Sequence, residues 1–188
     1  MAYRNIVVHV DNSAACRSRV ESALALAARV DGTVIGHYPR PGMTALNFAD
    51  GAGAAIVYEQ ELKRIEEAAS QAKAEFDATV SGAKVPVTWS TDDRVPLEGL
   101  RSVARYSDLV LVGFHEPDDP NAPGYGLGAD LAIDSGLPVL LTPAKGLADG
   151  FPGRVMIGWN GSRESGRAVR ESMPFLAQAE AITVVGID

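Results

Sequence analysis

Asp11 closes the apolar run Ile6-Val7-Val8-His9-Val10 and opens the polar stretch Asp11-Asn12-Ser13. A carboxylate at the end of a buried strand can accept a hydrogen bond from a ribose hydroxyl or a base. A helix starting just behind it offers free backbone N–H groups. Gly113 closes a second apolar run, Leu109-Val110-Leu111-Val112, and Gly124, Gly126 and Gly128 follow it. His9, His37 and His115 fall in or beside strand ends, where Glu116, Asp118 and Asp119 could join them around a metal. Their spacing matches no compact zinc pattern, so hydrogen-bonded histidines and a solvated acidic loop are expected instead. Ser13 reads as a helix cap and Cys16 as a small core residue with nothing beside it to lower a thiol pKa. No Gly-rich loop ends in Lys and Ser or Thr. No catalytic residue is expected.

These groups need a scaffold. Residues 6–10 read as a buried strand. Cys16, Val20, Ala23, Leu24 and Ala27 then recur at helical spacing, and Asp31-Gly32 ends that helix. The second strand, residues 33–38, carries Ile35 and His37. Residues 39–53 contain Pro39, Pro41, Gly42, Gly51 and Gly53 and read as a loop. At about 15 residues it is long enough for a lid or a binding role. A long helix follows, with Tyr58, Leu62, Ile65, Ala69, Ala72, Phe76 and Val80 on one stripe. Residues 85–89 form a third strand, at an edge because of Pro86. Pro96 opens a helix carrying Leu97, Leu100, Val103 and Ala104. The strand 109–113, a loop 114–125, a short helix 127–135 and a strand 138–142 complete the series. Strands alternating with helices imply a parallel sheet covered on both faces.

The chain has 188 residues, with 17 Lys and Arg against 24 Asp and Glu, a net charge of −7. That balance argues against nucleic acid or an anionic membrane as partner. The single cysteine, Cys16, precludes an intrachain disulfide. There is no long apolar span and no signal-peptide pattern at the N-terminus, so a cytoplasmic location is expected. Residues 1–145 read as one complete domain and 146–153 as a linker. From 154 to 188 the chain repeats itself. Val155-Met156-Ile157-Gly158-Trp159-Asn160-Gly161-Ser162 lies 149 positions after Ile6–Ser13, with Asn160 in place of Asp11. A lone strand–helix–strand of about 35 residues cannot bury its own apolar faces. Met173, Phe175, Leu176, Val184 and Val185 therefore need a partner surface, and homodimer or domain–domain pairing is expected.

The opening strand ending in Asp11, the long second helix, and the segments Asp108–Gly113, Gly136–Leu141 and Gly158–Glu164 together resemble the universal stress protein family. The resemblance implies an α/β fold of the adenine nucleotide alpha hydrolase-like kind: an open five-stranded parallel sheet of order 3-2-1-4-5, plus a partial second copy. It also implies dimers or pseudo-dimers, and ATP binding in some members only. In that order Asp11 and Gly113 are neighbours at the switch point, where ligands of open α/β sheets bind. The candidate nucleotide or small-ligand cleft is Asp11, Asn12, Ser13, Ile35, His37, Gly113, Gly124, Gly126 and Gly128. ATP-binding members resemble each other in a loop of three spaced glycines, the last before Ser or Thr. Here Glu116 stands at the second position, and no loop glycine precedes Ser or Thr. No Lys or Arg falls between Tyr106 and Ala144. Three loop carboxylates would repel a triphosphate unless a divalent cation sat between them. The expectation is a non-enzymatic stress-response dimer acting through ligand or partner binding, without a cofactor. One alternative is an ATP or adenine-nucleotide sensor with slow hydrolysis. Another is a binder of a metal or other small molecule at the same cleft.

Overall fold

A computed structural model describes residues 3–40 and 52–186. The elements are β1 (Asn5–His9), α1 (Cys16–Val30), β2 (Thr33–Pro39), α2 (Ala52–Val80), β3 (Val87–Asp92), α3 (Pro96–Ala104), β4 (Leu109–Gly113), α4 (Leu127–Ser135), β5 (Val139–Thr142), β6 (Arg154–Trp159), α5 (Arg163–Leu176) and β7 (Ala181–Gly186). The loop expected at 39–53 is shorter at both ends: Pro39 closes β2, and Gly53 lies in α2. The lid role suggested for it falls on residues 41–51, outside the described residues.

The first five strands form one sheet of order β3-β2-β1-β4-β5, parallel throughout. Helices cover both faces, so β1 is apolar on both sides. Ile6, Val8 and Val10 pack with Val20, Ala23, Ala27 and Phe76 from α1 and α2. Val7 packs with Leu100, Ala104, Leu127 and Leu131 from α3 and α4. Asp108 anchors the start of β1: its Oδ2 accepts from the N–H groups of Arg4 and Asn5 at 2.9 and 2.8 Å.

The apolar stripe of α2 is buried only in its C-terminal part. Ala72 and Phe76 are in the core, whereas Tyr58 and Leu62 are 47% and 38% exposed. Length explains this, since a helix of 29 residues runs about 43 Å at 1.5 Å per residue, beyond the sheet it packs on. Pro86 precedes β3, which is an edge strand as expected, and its carbonyl accepts from Val34 N–H at 3.0 Å.

Gly36 on β2 faces the Phe76 ring so closely that an added Cβ would collide with it. Phe76 cannot retreat, because its ring packs against Trp89 at 5.1 Å between centroids. Gly36→Ala is expected to destabilise the fold by about 1–3 kcal/mol through overpacking, as read from urea unfolding. An unchanged midpoint would show that the ring moves freely.

Beyond β5 the chain forms a second, smaller unit. β6 and β7 pair in parallel from Arg154↔Ala181 to Trp159↔Gly186. The Ser162 side chain caps α5 by accepting from Ser165 N–H at 3.1 Å. This strand–helix–strand order repeats that of β1–α1–β2. It touches the first unit through aromatic packing. The Tyr3 and Phe175 rings lie 5.0 Å apart, and Phe151 meets Phe175 at 5.2 Å. Tyr3 also donates to the Glu171 carbonyl. Of the residues expected to need a partner surface, Phe175 and Leu176 find one in this chain. Met173, Val184 and Val185 stay 51%, 61% and 41% exposed. Among the described residues, no helix is long and apolar enough to cross a membrane.

Candidate functional site

The pairing of β1 with β4 brings the ends of the two strands together, so Asp11 and Gly113 face one crevice as expected. The crevice is not empty. α1 carries Arg19 into it, and the side chain is 1% exposed. Its Nε donates to the His9 carbonyl at 2.7 Å, and its Nη2 lies 2.7 Å from Asp11 Oδ2. Its Nη1 lies against Gly113, where any Cβ would strike it. Gly113 is therefore required by the guanidinium of the same chain, a close approach that only glycine allows. The ion pair is electrostatic rather than an aligned hydrogen bond: Nη1, Nη2 and Asp11 Oδ2 are buried without a hydrogen-bond partner.

Asp11 has further attachments. Its Oδ1 accepts from Ser13 N–H at 3.0 Å and from the Ser13 hydroxyl. Ser13 therefore does not cap α1 as expected; the residue at the cap is Ala15, with no side-chain bond. Asp11 holds the Ser13 amide in an Asx-type turn and also accepts from its hydroxyl, which is thereby turned away from α1. Burial alone would raise the Asp11 carboxyl. Arg19, then His9 and the Ser13 bonds, outweigh burial and hold it below the usual carboxylate range. Asn12 is equally occupied, donating to the Ala68 carbonyl at 2.9 Å and accepting from the Tyr38 hydroxyl at 3.0 Å.

His9 and His37 are register partners on β1 and β2. His9 Nδ1 lies 3.6 Å from Asp11 Oδ2. Burial pushes its pKa down to about 4, against the pull of Asp11, so the ring is neutral near pH 7. His37 is fully buried, with Nδ1 3.1 Å from the Ser90 hydroxyl and Nε2 3.8 Å from Asp92. Burial lowers its pKa too. His115 turns to its own loop, where its Nδ1 lies 2.9 Å from the Pro123 carbonyl. Ile35 packs in the core beneath α3 and α4. Among the described residues, no three His, Cys, Asp or Glu side chains are grouped to hold a metal ion.

The glycines after β4 build α4 instead of a cradle at Asp11. The Gly124 carbonyl accepts from Leu127 N–H at 3.1 Å. Gly126 stands at the helix cap with φ of 86°. Gly128 lies in the first turn, where a Cβ would strike the Leu141 side chain. The acidic part of the loop folds back over α1. Asp119 Oδ2 accepts from Ala14 N–H at 2.8 Å, and its Oδ1 accepts from Asn121 N–H at 2.9 Å. A carboxylate of this chain thus holds an N–H of the turn leading into α1, beside the helix end where a phosphate would gain most. A cavity of about 680 Å³ opens outside this contact, lined by residues including Ser13, Arg17, Glu75, Thr79, Asp118 and Asp119. Asp11 is not among its lining residues.

Reading the sequence missed Arg19 and the place of Asp119. The signal for Arg19 was present. Residues 16, 19, 20, 23 and 27 share one helical face. A lone arginine on that stripe, in the helix that begins behind Asp11, needs a buried carboxylate.

The chain matches the model of the universal stress protein family over residues 2–119. It belongs to that family. No curated protein sequence matches it. Among solved structures it resembles a universal stress protein of Lactobacillus plantarum at TM-score 0.60 and 17% identity, covering 75% of this chain and 98% of that one. A universal stress protein from Archaeoglobus fulgidus matches at TM-score 0.65 and 14% identity, over 98% of this chain and 66% of the other. A family protein from Arabidopsis thaliana, solved with AMP bound, matches at TM-score 0.52 and 12% identity, over 79% and 95% of the two chains. At these identities the likeness is one of fold.

Proposed function

We propose that this chain is a non-enzymatic universal stress protein whose nucleotide cleft is closed by its own side chains, and that it acts through partner contacts. One observation carries the reading: the Asp119 carboxylate sits on the Ala14 N–H at the start of α1. A phosphate at that helix end must first displace an anion already held. It must then tolerate Glu116 and Asp118 in the same loop, with no loop cation to offset them. On this reading residues 1–145 are a complete stress domain, 146–153 a linker, and 154–188 the opening of a second such domain. The apolar side chains left exposed on β6, α5 and β7 would then pair with a further stress-domain surface, in a dimer or within a longer chain.

Calorimetric titration of ATP with Mg²⁺ into the folded protein tests the closed cleft. No saturation below millimolar concentration is expected, and micromolar binding would overturn the reading. The second reading is an adenine-nucleotide sensor. The AMP in the Arabidopsis relative favours it, as does the adjacency of Asp11 and Gly113 at the switch point. In that case AMP binds at micromolar strength in the same titration.

A further inference from the structure

We propose that Arg19 is the residue that closes this crevice to nucleosides, as an internal occupant of the place a ribose or base would take. The inference rests on the closed cleft above and names the side chain responsible.

Three observations converge on it. The first is position. The guanidinium spans the gap between the ends of β1 and β4, touching His9, Asp11 and Gly113. The loop approaches the same point of Gly113, since Pro123 Cγ lies 3.4 Å from where a Gly113 Cβ would be. The second is what it consumes. The His9 carbonyl and Asp11 Oδ2 are acceptors at the end of β1, suited to a ribose hydroxyl or the amino group of a base. Arg19 hydrogen-bonds the first and forms a 2.7 Å ion pair with the second. The third is the quality of the fit. The Nε bond to the His9 carbonyl and the 2.7 Å contact of Nη2 with Asp11 Oδ2 hold the guanidinium across the gap. Nη1 has no acceptor among the described protein groups and lies against Gly113 instead. Among the buried residues of α1, Arg19 is the one with a charged side chain; the others are Cys16, Val20, Ser22, Ala23, Leu26 and Ala27.

Adenosine is the probe, because it has no phosphate and Asp119 does not enter the test. Binding is read by calorimetry on the wild type, Arg19→Lys and Arg19→Ala, with circular dichroism as the fold check. Arg19→Ala is expected to bind adenosine at least tenfold tighter than the wild type, a gain of about 1.4 kcal/mol or more. Arg19→Lys keeps the charge in the crevice and should stay closed. If Arg19→Ala does not fold, the double variant Asp11→Asn with Arg19→Ala decides. It retains an acceptor at residue 11 and leaves no unpaired carboxylate. Folded variants that bind adenosine no better than the wild type overturn the role of Arg19, and the closed-cleft reading survives. A wild type that itself binds adenosine at micromolar strength overturns both.

Discussion

Replacing Asp11 with alanine is expected to destabilise the folded protein by about 3–5 kcal/mol, the range for breaking one partner out of a buried ion pair. The reason is what stays behind. Arg19 is 1% exposed, so its guanidinium stays inside the fold. Without Asp11 its guanidinium has one strong acceptor left, the His9 carbonyl. His9 cannot help, because a neutral imidazole brings no compensating charge. Ser13 loses its acceptor for both N–H and hydroxyl, so the turn joining β1 to α1 loosens as well. Asp11→Asn should cost less, since an amide oxygen still accepts from Ser13. Arg19→Ala should also cost less than Asp11→Ala, because the 13%-exposed Asp11 side chain can hydrate and keeps its Ser13 bonds. Urea unfolding of the two single variants and the double variant forms the test. The double variant should cost less than the sum of the singles by about 0.5–3 kcal/mol. A loss below about 1 kcal/mol for Asp11→Ala would mean that the guanidinium escapes to solvent, as an exposed pair would allow.

The architecture was readable because its signals are local and repeat. Ile6, Val7 and Val8 in β1 are apolar without alternation, as a sheet covered on both faces demands. Pro86 pointed to an edge, and β3 is one. The neighbourhood of Asp11 and Gly113 follows from strand order alone. What escaped is the set of contacts that cross the chain. Asp119 reaches Ala14 across 105 positions, and nothing in the spacing of an acidic loop tells which helix end it will cover. Asn12 reads as a turn residue, yet it ties β1 to α2 through Ala68. Arg19 is different, because the information was local but the habit of grouping by hydropathy discards charges. The Ser13 error has a local cause too. The carboxylate two residues earlier takes the Ser13 hydroxyl as well as its N–H, which turns that hydroxyl away from the helix. In the repeat, Asn160 makes the equivalent bond to Ser162 N–H at 3.1 Å, but there the serine hydroxyl still turns to Ser165 and caps α5. The two copies differ because only Asp11 holds both the amide and the hydroxyl of its serine.

Acidification from pH 7 to pH 4 is expected to weaken the folded state by about 3 kcal/mol through His9 alone, since one pKa unit corresponds to 1.36 kcal/mol. The folded-state pKa is about 4, against an ordinary value of 6.5. A histidine whose pKa is lowered by folding contributes its full stability above the unfolded value. That contribution falls as the unfolded chain takes up protons the folded chain refuses, and the loss is complete near pH 4. Burial sets the low value; Arg19 and His37 reinforce it, and Asp11 opposes it. His37 acts in the same direction, with Asp92 opposing burial and Arg94 aiding it. Asp11 adds nothing in this window, because a depressed carboxyl loses its contribution only as pH falls below the ordinary carboxylate range. Urea unfolding at pH 7.0 and 5.0 reads the effect. His9→Gln should remove about 2 kcal/mol of the difference between those two pH values, and it leaves the backbone carbonyl that Arg19 uses in place. A His9→Gln protein with the same pH dependence as the wild type would show that His9 takes up its proton as readily in the fold as in the unfolded chain, and is therefore charged there at pH 5. The ring would then sit with Arg19 as a second cation on the single Asp11 carboxylate, and the crevice would hold more positive charge than its geometry can satisfy.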